Sequence, residues 1–555
     1  MRTLATTLLL LASIGAPLRS QQPAGTGSAG QRVARAVDAG VLRAHLEFLA
    51  DDALEGRAPG TRGGDLAAKY LASQFRRLGL EPAGDSGTYF QRVPIISLTP
   101  EPTLAVTRPA ATPLAWKEDF VLWSMLNDTT VSHRGEVVFV GYGIVAPENG
   151  WDDYAGVDVK GKYVAALVND PGLQDSTLFR GSILTYYGRW TYKIEEARRQ
   201  GAAGILLIHT PESATYPWTT VRSGWTGPQV RLETPPSPLV VAGWLRRDAA
   251  ARLLRDGGQD LDALTAAAGR KGFRAVPLRL ELEGGVRSTI RRSETANVLG
   301  RLPGRGRPLA REAVLIGGHY DHFGIGAAVD GDSIYNGAED NASGTAAVLA
   351  AAEAFVRSGV RTGRSLIFAG FAAEESGLIG SQALADNPVI PLRNIAAILN
   401  LDVVNLYGRT RDVSALGLDQ SSLGELFARA ARAEGLRVTE NREALLQGSY
   451  FRSDHFPLAR AGIPGTSIQH GSDYVGRPAG WGKEQSERYT AERYHQPGDE
   501  ILPWFTYDGA LQQLRVTVRT AVLAGDAPSQ PTWAPTSEFR QAGEARLEGS
   551  GQATN

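Results

Sequence analysis

A-V-L-I-G-G-H-Y-D-H occupies residues 313–322, S-L-I-F-A-G-F-A-A-E-E-S-G runs from 365 to 377, and I-A-A-I-L-N-L-D from 395 to 402. Each opens with an apolar run of strand length and closes on residues that bind metals or move protons. Between the first and second lies N-G-A-E-D-N-A-S-G at 336–344, followed by a stripe of Val348, Leu349, Ala352, Phe355 and Val356 at helical spacing. The stripe predicts a helix over Ser343–Ser358. Strands with near-continuous apolar runs are buried on both sides, and helices between them make the connections. The pattern predicts an α/β fold: a mixed, largely parallel sheet with helices on both faces.

Functional groups of such sheets gather at the carboxyl ends of the strands. His319 follows the first run, Glu374 and Glu375 the second, and Asp402 closes the third. Asp340 lies on the loop entering the helix, and Y-H-Q-P-G-D at 494–499 adds His495. The donors are nitrogen and oxygen only, a set suited to zinc, with cobalt or manganese as substitutes. Two histidines and three carboxylates suffice for two ions if one carboxylate bridges. Glu374 and Glu375 would point to opposite faces if their strand continued. Past its end, one can bind metal while the other acts as general base toward the attacking water. His322 is expected to line the loop. His455, in S-D-H-F-P, is expected to play a structural role at the pocket edge. His45, His133 and His209 are read as structural, and His470 as a loop residue or pocket wall.

Outward from this core, Leu42, His45, Leu46 and Leu49 recur at helical spacing, as do Ala67, Tyr70, Leu71, Phe75 and Leu78, across a Gly/Pro loop at 55–64. Residues 116–285 change character, with β-branched runs at Val137–Val140 and Val164–Val168, a third apolar run at Ala202–Ile208, and a helical stretch before it. They read as an inserted β-rich α/β domain. The expected division is a signal peptide at 1–20, a flexible lead at 21–35, a discontinuous catalytic domain at 36–115 and 286–525, and a disordered tail at 527–555. The signal reading rests on Arg2, the short apolar run Leu4–Ile14 and the small residues that follow, and predicts export to the periplasm or the extracellular space. That run is shorter than a membrane span, so no span is expected after cleavage.

The 555 residues carry 58 basic and 59 acidic side chains, so charge balance offers no reason to expect a nucleic-acid partner. With no cysteine, disulfides, thiolate metal sites and cysteine nucleophiles are excluded. No G-x-S-x-G elbow is present to make a serine hydrolase, and Gly317-Gly318 is not followed by the Lys-Ser/Thr of a phosphate loop.

The order H-x-D (319–321), D-N-A-S-G (340–344), E-E (374–375), L-D (401–402) and Y-H (494–495) resembles the M28 family of di-zinc aminopeptidases. G-Y-G-I at 141–144 and G-A-A-G-I-L at 201–206 resemble a protease-associated domain, which several family members carry at this place, and L-E-G-R-A-P-G-T at 54–61 looks like the family's N-terminal portion. The resemblance implies a zinc exopeptidase-like fold, two Zn2+ ions and a peptide substrate. It implies that His319, Asp340 and Asp402 hold one ion and that Asp340, Glu375 and His495 hold the other. Glu374 becomes the general base, Asp321 orients His319, and Tyr494 stabilises the oxyanion. Other members of this fold act as carboxypeptidases, dipeptidases or glutaminyl cyclases. A carboxypeptidase needs a cation for the substrate carboxylate, for which Arg452 is nearest in sequence. A non-catalytic secreted binding protein is the reading from another class, and the spare Glu374 argues against it. Tyr450, Phe451, Tyr474 and Trp481 are candidate walls of a specificity pocket.

Overall fold

The computed structural model describes residues 26–233, 237–306 and 308–549. The signal segment expected at 1–20 lies outside them. In chain order the helices that frame the site are α1 (Thr26–Ala36), α2 (Ala39–Leu49), α3 (Arg62–Arg77), α4 (Trp190–Arg199), α5 (Gly344–Ser358), α6 (Asp508–Asp526) and α7 (Arg540–Glu548). Helix starts follow local chemistry. Asp38 accepts the N–H of Val41 ahead of α2, and Thr61 accepts that of Gly64 ahead of α3.

The main strands are β1 (Phe90–Arg108), β2 (Phe120–Ser124), β3 (Thr130–Phe139), β4 (Tyr163–Leu167), β5 (Gly204–His209), β6 (Val241–Arg246), β7 (Val276–Leu302), β8 (Ala313–His319), β9 (Ser365–Phe371), β10 (Ile395–Leu401), β11 (Asp412–Leu416) and β12 (Gly465–His470). One continuous sheet orders them β11-β12-β10-β8-β9-β7-β3-β4-β5-β6-β2. The core pairs β9–β8, β8–β10 and β10–β12 are parallel, and β11 and β7 flank them antiparallel. The long ribbon of β1 and β7 continues this sheet into the 116–285 stretch, where β3, β4, β5 and β6 run parallel.

Every residue of β8, β9 and β10 is buried, as continuous apolar runs require. Val314, Ile316, Leu366, Phe368 and Leu399 face α5 and α6, while Leu315, Ile367, Ala369 and Ile398 face Leu384 and Leu458 on the other side. The alanine-rich face of α5 lets it lie close on the sheet, which fixes the loop at its N-terminus relative to the strand ends.

Two expectations at the chain ends are corrected. The lead read as flexible contributes α1, whose Val33 is fully buried against the core. The tail read as disordered from 527 is ordered to 549: Trp533 and Phe539 are buried, and Arg546 donates to the carbonyls of Gly462 and Ile395. Composition missed both because a few anchoring side chains, rather than average polarity, hold each segment.

Candidate metal centre

Strand geometry delivers the acidic side chains to one rim. His319 ends β8, Glu374 and Glu375 follow β9, and Asp402 follows β10. The backbone turns sharply where they emerge. Ala373, Val403 and His495 all have left-handed φ, of 55°, 62° and 58°. Such a conformation costs a non-glycine residue about 1 kcal/mol or more and clusters at functional sites. The turn at Ala373 is what frees Glu374 and Glu375 from strand alternation. Gly337, at φ 54°, opens the loop to Asp340; a Cβ there would meet the Asp340 carbonyl oxygen at 2.3 Å and the His322 ring at 2.5 Å.

His319 Nε2 lies 3.3 Å from Asp340 Oδ1, 3.5 Å from Asp402 Oδ1 and 3.9 Å from Glu374 Oε2. His495 Nε2 lies 3.3 Å from Asp340 Oδ2 and 3.3 Å from Glu375 Oε2. Asp340 thus offers one oxygen to each histidine, in the middle of two ligand groups. His319 with Asp340 and Asp402 converges within 4.8 Å, as does His322 with Asp340 and Glu375. The site brings all five expected ligands together with Glu374.

Hydrogen bonds behind these residues hold them in place. Asp499 Oδ1 and Oδ2 accept the backbone N–H groups of Glu339 and Asp340, both at 3.0 Å. Asn341 donates to the Leu401 carbonyl, and its oxygen accepts the N–H of Gly344 and Val403, which ties the Asp340 loop to the end of β10. Ser453 donates to Asp402 Oδ2 at 2.6 Å. His322 Nδ1 sits 2.7 Å from Glu375 Oε1, a more specific role than lining the loop. Asp321 departs from the expected arrangement. Its backbone carbonyl, at 3.2 Å, approaches His319 Nδ1, while its carboxylate stands at 3.8 Å and accepts the N–H of Glu374. Arg57, fully buried, donates to the carbonyls of Tyr320, Asn336 and Gly337 beneath the site, joining the 54–61 segment to both ligand loops.

The electrostatics separate the two glutamates. Burial, with Glu375, Asp402 and Asp454 nearby, pushes Glu374 well above the usual carboxylate range despite His319. Burial acts the same way on Glu375, but His322 and His495 beside it hold it below its ordinary value. Burial also raises Asp321 to about 6 and Asp454 to about 7. Six buried or half-buried carboxyl groups therefore crowd a site with three histidines, His319, His322 and His495, and, beneath them, Arg57, whose burial lowers it to about 10. His495 Nε2 and Asp321 Oδ2 are buried without hydrogen-bond partners. Convergent nitrogen and oxygen donors, separated by more than a hydrogen bond and short of positive charge, fit divalent cations.

Other sequence candidates fall elsewhere. Tyr494 is exposed and stacks on His495, ring centroids 3.7 Å apart. His455 is wholly buried under Tyr450, not at the pocket edge. Of the expected pocket walls, Phe451 lines the cleft; Tyr450 and Tyr474 instead donate to Gly465 and Asn405 from buried positions. His45, His133 and His209 each meet a nearby oxygen within 2.9 Å, as structural residues do.

Residues 297–515 match the model of Peptidase family M28, a span that includes all five donors and Glu374. The chain is 31% identical over 209 residues to Leupeptin-inactivating enzyme 1 of Streptomyces exfoliatus, covering 37% of this chain and 43% of that one. A probable zinc metalloprotease of Pyrenophora tritici-repentis is 27% identical over 39% of this chain and 54% of its own. Leucine aminopeptidase 1 of Phaeosphaeria nodorum is 25% identical over 41% and 54%. The chain thus spans about half the length of these relatives. Among solved structures, the aminopeptidase from Aneurinibacillus sp. strain AM-1 aligns with 91% of this chain and 98% of its own at 19% identity and a TM-score of 0.46. No helix of the described residues is long and apolar enough to cross a membrane.

Proposed function

We propose that this M28 protein is an exported, zinc-dependent exopeptidase that removes N-terminal residues from peptides. The observation that carries the reading is Asp340 standing between two histidine-carboxylate groups, with Glu374 beside them at 3.9 Å from His319 Nε2. In it, His319, Asp340 and Asp402 would hold one ion, and Asp340, Glu375 and His495 the other. Bound metal supplies a Lewis acid for the scissile carbonyl and lowers the pKa of water. The protein's own part is proton transfer and orientation. A Glu374 carboxylate oxygen takes a proton from the attacking water and returns it to the nitrogen of the departing amine, so the peptide C–N bond breaks without net proton loss. Asp321 holds Glu374 for this through the backbone N–H. Tyr494, exposed at the mouth, is available to the carbonyl oxygen as the bond breaks.

The aminopeptidase direction is supported by the likeness to relatives such as leucine aminopeptidase 1 of Phaeosphaeria nodorum. The 116–285 stretch is read as a protease-associated insert, and 1–20 as a signal for export. Glu374→Gln should keep its zinc and lose about 10²–10⁴-fold in turnover of leucine p-nitroanilide. Near-normal turnover with zinc content verified refutes the assignment. Cleavage of N-acetylated peptides at rates matching their free-amine forms refutes the direction.

A further inference from the structure

A cleft of about 2290 Å3 runs from Asp340, Glu374 and Asp402 to the inserted stretch, and Arg189 and Arg452 both line it. Arg189 precedes α4, and Arg452 follows the short turn Ser449–Phe451. These two turns pack on each other: the Tyr186 ring lies 6.3 Å from Phe451 and 5.2 Å from Phe456. The arginines feel one another, since burial first and the Arg452 charge second push Arg189 down to about 10. Neither has an acidic partner among the described residues. Arg189 Nε is buried without a hydrogen bond, and Arg452 donates to the carbonyl of Gln447. Two other arginines of the same cleft are paired, Arg199 with Glu196 and Arg460 with Glu195. Like charges on two packed turns repel, and an anion placed between them relieves that repulsion. A guanidinium fork matches a carboxylate in two-point contact.

We propose that Arg189 and Arg452 bind a carboxylate of the substrate beyond the scissile bond, so that the preferred substrates are short acidic or free-acid peptides. This rests on the peptidase reading above. Its length limit follows from Ser453, next to Arg452, which touches Asp402. Neighbouring Cα atoms are ~3.8 Å apart and an extended chain advances ~3.3–3.6 Å per residue, so the carboxylate lies only a few residues past the bond being cut. The anion is either the C-terminal carboxylate or an acidic side chain, and both present the same chemistry to the pair.

The test separates binding from turnover. Leu-Gly-Gly and its C-terminal amide are titrated calorimetrically into zinc-loaded Glu374→Gln protein, alongside Leu-Glu-amide and Leu-Gln-amide, and all four are assayed for cleavage by the wild type. At least one acid should bind about tenfold more tightly than its neutral counterpart. Arg189→Met and Arg452→Met should each bring that ratio near one, and Arg452→Lys should restore part of it. A preference within the first pair identifies the C-terminus; one confined to the second identifies a side chain. Equal binding within both pairs overturns the proposal, even if the wild type cleaves all four. So do arginine variants that weaken acid and amide alike, which marks a structural role. Selective binding with no cleavage by the wild type keeps the carboxylate site and overturns the peptidase reading.

Discussion

Replacing Asp499 by Asn removes one charge and no volume, and the structure says what that costs. The two carboxylate oxygens accept the N–H groups of Glu339 and Asp340 at 3.0 Å each, and Tyr489 donates to the second oxygen at 3.2 Å. An amide has one acceptor oxygen, so one backbone N–H then faces an NH2 group. Losing a hydrogen bond to a charged acceptor costs about 1.5–3 kcal/mol, and a buried donor without partner costs about 1–3 kcal/mol more. Against this, burial has raised the Asp499 carboxyl to about 6, so a neutral group relieves roughly 3 kcal/mol of unfavourable charge burial. The terms partly offset for the whole fold, leaving a net loss of about 3 kcal/mol or less. They do not offset at Asp340, whose backbone loses its tether while its side chain must face both His319 and His495. Changes behind a ligand commonly cost 10–100-fold in metal affinity. The expected result is a folded protein with zinc affinity about 10–100-fold weaker, measured by competition against a chromophoric chelator. A folded Asp499→Asn protein with zinc affinity within threefold of the wild type refutes the positioning argument.

Two further outcomes follow from buried side chains away from the ligands. Burial holds the His455 imidazole down to about 3, against an ordinary value of 6.5. Between those values the unfolded chain carries a proton that the folded one refuses, so this contribution is complete above about pH 6.5 and fades as pH falls toward 3. The loss of stability between pH 7 and pH 4 should shrink by about 3 kcal/mol in His455→Leu, measured by urea unfolding at both pH values; an unchanged loss rules the site out as an acid-labile element. Trp533→Ala should destabilise by about 3 kcal/mol, because the indole is buried and donates to Gly462 at 3.0 Å. A change under about 1 kcal/mol would mean that the C-terminal segment adds nothing to the core.

The parts of the fold that could be read from sequence are those where a local pattern and the tertiary environment agree. β8, β9 and β10 are buried on both faces, so their apolar runs are uninterrupted and their ends mark the rim. His319, Glu375 and Asp402 were legible for the same reason: each stands at or just past the end of such a run. Long-range partners were not. Arg57 reaches Tyr320 and Gly337 across more than two hundred residues of chain, and nothing local distinguishes it from the surface arginines around it. Its signal was the surrounding glycine-rich loop: a Cβ on neighbouring Gly56 would meet the Tyr335 carbonyl at 2.5 Å, so the segment must lie against the site. Arg189 was equally opaque, because an arginine without a partner is defined by what the fold fails to place near it, and Arg452 stood out only as the arginine nearest in sequence for a substrate carboxylate. The segment from 527 to 549 misled because Pro, Ser, Gly, Gln and Glu fill much of it, while Trp533, Phe539 and Arg546 do the docking.

The supports of the metal centre share one chemical habit. Asp499 holds the Asp340 loop by backbone N–H groups, Asp321 holds Glu374 by its backbone N–H, and Asn341 joins the Asp340 loop to the end of β10 through Gly344 and Val403. None of these bonds uses a ligand's side-chain oxygen. They fix the chain that carries the ligands, while Ser453 and His322 meet the side chains of Asp402 and Glu375 directly. A site made this way differs from a small metal-folded domain, in which the ion supplies most of the order. Here the helices, the strand ends and three side chains supply it beforehand, and left-handed turns at Ala373, Val403 and His495 aim the donors inward. What the fold leaves unbalanced is charge, with carboxylate oxygens standing 3.3 to 3.9 Å from the ring nitrogens of His319 and His495. Preorganised backbone with uncompensated negative charge is the arrangement a catalytic cation site requires, since the ion then meets its ligands without having to reorder them.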